Sequence, residues 1–145
     1  MKAREFMTRN PHSVTRQDSL QRAAQIMRDH DTGFVPVVDS TEGMRLEGVI
    51  TDRDIAVRHV AEGHTGECLV EEVMSKGQLR YCGPEDSDKQ VMEAMKSAQV
   101  RRIPVVENDR LVGVISQADL ALQQNDRATG DTVEKISEPT GEPRG

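Results

Sequence analysis

Two stretches of the chain pair a hydroxyl with a carboxylate at one spacing: Thr51-Asp52-Arg53-Asp54 and Ser116-Gln117-Ala118-Asp119. A Thr or Ser hydroxyl can donate to a phosphate oxygen. An Asp one helical turn later can accept both hydroxyls of a ribose, as an acidic residue does in other nucleotide-binding folds. The same spacing also caps a helix start, with the hydroxyl and the acid each closing on the other's backbone N–H. Both readings apply to both pairs. A phosphate also calls for cations, and the arginine fork suits it. Arg53 lies inside the first stretch, where the second has Ala118. Arg101 and Arg102 stand where the first copy of the pattern has Gly33 and Phe34. Their alternative is the usual fate of a surface arginine, solvated or paired with an acid. His59, His64 and Cys68 match no strong metal signature and leave zinc one ligand short, so no metal site is assigned. No nucleophile–base pattern, Walker loop or paired-carboxylate motif stands out, so no enzyme activity is expected.

The elements that must hold these residues are written twice. Val35-Pro36-Val37-Val38 recurs as Ile103-Pro104-Val105-Val106, and Leu46-Glu47-Gly48-Val49-Ile50 as Leu111-Val112-Gly113-Val114-Ile115. Asp18-Ser19 and Met27 recur as Asp86-Ser87 and Met95. Between the apolar runs, residues 39–45 shrink to 107–110, as a loop permits. Each copy reads as a short strand, a helix, two strands and a helix. Asp18 or Ser19 caps the first helix, with Gln21 placed for a capping box. Leu20, Ala23, Ala24 and Met27 form its buried face, with Val91, Met92 and Met95 in the second copy. The runs 34–38 and 46–50 are strands, and Asn108-Asp109 is a tight turn. Pro36 and Pro104 belong at a sheet edge or a strand start. The last helices span about 52–61 and 117–124.

Two such units, each ending in Gly, two apolar residues, Ser or Thr, two further residues and Asp, resemble a tandem pair of cystathionine β-synthase (CBS) domains, the Bateman module. The resemblance covers about residues 4–125 and includes the Met7-Thr8 and Met74-Ser75 lead-ins. It implies an α/β (α+β) fold of two β-α-β-β-α repeats packed with pseudo-twofold symmetry. The repeats are expected over 1–66 and 67–125, with a polar, disordered tail over 126–145. Stand-alone bacterial CBS pairs are the nearest type. The resemblance further implies a regulatory module that binds AMP, ADP, ATP or S-adenosylmethionine between its repeats, without a required cofactor. It implies a homodimer acting on a protein partner that the sequence leaves unnamed. Its adenine sites map to Val14, Thr15, Val35 and Pro36 for one and to Tyr81, Cys82, Ile103 and Pro104 for the other. Thr51, Asp54, Ser116, Asp119, Arg53, Arg101 and Arg102 complete the expected contacts. The unequal arginines suggest one occupied site. The alternative is a constitutive scaffold that kept the fold and lost the ligand.

Composition agrees. The chain has 145 residues, a net charge of −6 and 2% aromatic residues. An acidic chain without stacking platforms is not expected to bind nucleic acid. No apolar run reaches a membrane span, and the N-terminus shows no signal-peptide core, so a cytoplasmic protein is expected. Cys68 and Cys82 are expected as thiols in that compartment, although oxidising conditions would allow a disulfide.

Overall fold

A computed structural model describes residues 1–125. The tail expected over 126–145 lies outside the described residues. The elements run α1 (Ala3–Phe6), β1 (Thr8–Arg9), β2 (Val14–Thr15), α2 (Leu20–Asp29), β3 (Phe34–Val38) and β4 (Leu46–Thr51). Then come α3 (Asp52–Ile55), which continues as a π-helical turn over Ala56–Val60, α4 (Val70–Val73), α5 (Asp88–Ala98), β5 (Arg102–Glu107) and β6 (Arg110–Ser116). Helix α6 occupies residues 117–125.

Two sheets form, in strand orders β2-β3-β4 and β1-β6-β5. In each, the two Val/Ile runs pair antiparallel: Val35 faces Ile50, and Ile103 faces Ile115. Asn108 and Asp109 both take positive φ, 51° and 63°, which makes the tight connection of the second hairpin. Pro36 departs from expectation. It lies inside β3, the central strand of its sheet. It is tolerated because β2 pairs only with Val37 and Val38, so the ladder on that side stops short of the ring. Pro104 lies in β5, at the end of its sheet's strand order.

Helix α2 starts at Ser19, whose hydroxyl accepts from the Arg22 N–H at 3.0 Å. Asp18 instead accepts from the Thr15 N–H at 2.8 Å, closing the preceding turn, and Gln21 forms no capping box. Helix α5 has the full box between Ser87 and Gln90. The buried face of α2 is Leu20, Ala23, Ile26 and Met27, with Ala24 left exposed. Val91 and Met95 are the buried apolar residues of α5.

The lead-ins cross between the repeats. Segment β1 adds to the edge of β6, pairing Thr8 with Val114. Ser75 bridges Val49 of β4 in the corresponding way. Val70, Val73 and Met74 therefore complete the core around Val14, Leu20, Val35 and Ile50. Ala3, Phe6 and Met7 pack in the core around Val91, Ile103 and Ile115. Each core thus borrows the lead-in that the sequence writes before the other repeat. A third cluster, Val38, Leu46 and Leu111, joins the two sheets, and the Leu111 N–H donates to Met44 O at 2.8 Å.

Candidate functional site

The two hydroxyl–carboxylate pairs sit where β4 and β6 turn into α3 and α6. In the first, the Thr51 N–H donates to Asp54 Oδ2 at 3.0 Å, and the Asp54 N–H donates to Thr51 Oγ1 at 3.1 Å. In the second, the Ser116 N–H donates to Asp119 Oδ2 at 2.9 Å, and the Asp119 N–H to Ser116 Oγ at 3.0 Å. Both pairs are therefore helix caps, reciprocal in the manner of a capping box.

They differ in what else reaches the acid. Ser75 Oγ, on the borrowed lead-in, is 3.1 Å from each oxygen of Asp54. Arg58 Nε stands 3.9 Å from Asp54 Oδ1, and its Nη1 donates to the carbonyls of Val73 and Met74. Asp54 is only 8% exposed. Thr8 occupies the matching place beside β6 but makes no bond to Asp119.

A cleft of about 870 Å³ opens between the repeats. One wall is Gly33 and Phe34, Val49, and the Thr51–Arg53 turn. The facing wall is residues 98–102 with Pro104, and the floor is Ser75 with residues 77–80 of the second lead-in. The cleft brings together Thr51, Arg53, Arg101, Arg102 and Pro104 of the expected contacts. Arg102 is half-buried and donates Nη1 to Thr32 Oγ1 at 2.7 Å, tying the second repeat to the first.

The other expected contacts are elsewhere. Asp54 backs the cleft through Thr51 and Ser75 but does not line it, and Ser116 and Asp119 lie outside it. Val14 and Val35 are 2% and 0% exposed in the first core, and Cys82 and Ile103 are 4% and 1% exposed in the second. These four point into the cores because their own helices and the crossed lead-ins cover that face. Pro36 is buried, while Thr15 is half-buried with its N–H held by Asp18. Tyr81 is 54% exposed beyond the lining. Arg80, Gln78 and Leu79 were not foreseen. Their signal was the crossing itself, which carries the residues after Ser75 to the first motif.

The thiols are free and belong to different cores, Cys68 to the first and Cys82 to the second. His59 and His64 meet edge-on, with ring centres 5.8 Å apart. Among the described residues, no group of three or more His, Cys, Asp and Glu side chains is arranged to hold a metal ion. No helix among them is long and apolar enough to cross a membrane.

This arrangement is that of a CBS pair, and sequence comparison agrees: the CBS domain pattern matches residues 3–59 and 70–124. The chain belongs to the CBS domain family. It is 36% identical over 135 residues to the CBS domain-containing protein YhcV of Bacillus subtilis, covering 92% of this chain and 94% of that one. The chain has the fold of the CBS pair of MJ0100, solved with 5′-methylthioadenosine and S-adenosylmethionine (TM-score 0.76, 23% identity, 88% of this chain and 98% of that one). It also has the fold of CBSX2, solved with AMP (TM-score 0.73, 20% identity, 88% and 98%).

Proposed function

We propose that the protein is a regulatory module that binds an adenosine-containing nucleotide in the cleft between its repeats. The reading rests on one observation: the Thr51 hydroxyl and arginines from both repeats converge on one cleft large enough for such a ligand. Family members of the same fold were solved with AMP and with S-adenosylmethionine. Thr51 and the arginines receive phosphate, and Asp54 turns from its cap toward the ribose. Bound ligand favours one packing of the repeats, by no more than its difference in affinity for the two states. A homodimer in the cytoplasm presents that packing to a protein partner. Calorimetry with AMP, ADP, ATP and S-adenosylmethionine tests the reading. Binding that Thr51→Ala weakens is expected. No binding of any of them at millimolar concentration overturns it.

A second reading is a constitutive scaffold, favoured by the caps, which engage both acids, and by Ser75, which closes on Asp54. It expects a stable dimer whose thermal midpoint ignores every nucleotide, because only ligands that bind the folded state raise it.

A further inference from the structure

We propose that Arg53, Arg80, Arg101 and Arg102 form a polyphosphate clamp, so that the cleft takes ligands with at least two phosphates and discriminates against adenosine monophosphate and the sulfonium nucleoside. The proposal deepens the nucleotide reading and rests on it for the adenosine half.

Four arginines are among the residues that line the cleft, with Asp52 as the one acidic residue beside them. They come from three separate segments: the first motif, the second lead-in and the start of β5. The chain as a whole carries a net charge of −6, so this gathering runs against its composition. Arg4, Arg16, Arg28 and Arg58 each pair with an acid (Glu85, Glu47, Asp29 and Asp54), while Arg9, Arg22, Arg45 and Arg110 are exposed on the surface rather than in the cleft. Among the described residues, no acid pairs with Arg53, Arg80 or Arg101 in this way. Arg102 is already held by Thr32, so little mobility remains to be lost there on binding.

Charge selects the ligand. A monophosphate brings about −1.5 to −2 at neutral pH and leaves the cleft net positive. A second or third phosphate closes the gap and engages the remaining forks. A sulfonium adds to the positive charge and is repelled. The second motif offers no equivalent, with Ala118, Gly33 and Phe34 at the matching places. The ligand's phosphates therefore lie at the Thr51 end, and one ligand binds per chain.

Titration calorimetry on the full chain, in EDTA and at moderate salt, would use ATP, ADP, AMP, adenosine, S-adenosylmethionine and inorganic triphosphate. ATP and ADP should bind at least roughly tenfold tighter than AMP, the effect of one charge-assisted hydrogen bond or more. S-adenosylmethionine should bind more weakly than AMP. Arg80→Gln, at an exposed position outside both cores, should weaken ATP at least roughly tenfold and AMP less, narrowing the gap between them. Equal affinity for AMP and ATP, or an Arg80→Gln variant that keeps full ATP affinity, overturns the clamp while the nucleotide reading stands. Binding of inorganic triphosphate but of no adenosine compound, lost in Arg80→Gln, upholds the clamp and overturns the nucleotide reading. If none of the six binds, both fall.

Discussion

Asp54 and Asp119 do the same work at helix starts and carry different loads. Removing the Asp54 carboxyl strands the Thr51 N–H and the Ser75 hydroxyl together. Asp54→Ala should cost about 2–3 kcal/mol, against about 1 kcal/mol for Asp119→Ala, which loses a cap alone. Urea denaturation of the two variants checks the order, and equal losses would remove Ser75 from the account. The cysteines make a second prediction. Burial first, then the nearby Asp86 charge, pushes the Cys82 thiol up to about 12. The unfolded chain releases that proton near pH 9 and the folded protein holds it, so stability falls as pH rises from about 9 toward 12. Cys82→Ala should flatten that decline in a pH series of melts. At this scale the sequence was half legible. The motifs announced a helix start and left its second use open. Val14, Val35, Cys82 and Ile103 were expected at a ligand wall. The structure buries all four in the cores, since composition does not say which face of a strand a neighbour will cover. Arg80 belongs to no motif, and only the fold brings it to the cleft.

The elements were the most legible level, because a doubled pattern of short Val/Ile runs leaves few arrangements. The paired strands and the last helix of each repeat fell within a residue or so of their expected places. The lead-ins did not declare where they dock. That docking explains the glycine in each motif. A Cβ on Gly48 would stand 2.5 Å from Met74 Cε and 2.8 Å from Ser75 O. On Gly113 it would meet Met7 Sδ at 2.5 Å and Thr8 O at 3.0 Å. Backbone cannot yield as a side-chain tip can, so the lead-in must lift away. Gly48→Ala and Gly113→Ala should each cost about 1–3 kcal/mol, an overpacking penalty read by thermal or urea unfolding. A neutral Gly48→Ala would mean that the lead-in at Ser75 docks loosely.

Each hydrophobic core of the molecule takes in residues from both halves of the repeat pattern. A fragment of residues 1–66 would lack Cys68, Val70, Val73 and Met74 of the first core. Far-UV circular dichroism should find it largely unfolded, and a fragment of residues 10–76 substantially more ordered. A well-folded 1–66 fragment would refute the crossing. The intact described part should unfold in one transition, because neither core is complete without the other repeat's lead-in.

The crossing also sets an order on synthesis. Residues 1–9 leave the ribosome about a hundred residues before β6, the strand on which they are seated. The first core can close once Met74 has emerged, while Ala3, Phe6 and Met7 are still without a partner. Those three apolar side chains thus stay unseated until β6 is made, a stretch in which a nascent protein is open to the wrong neighbour.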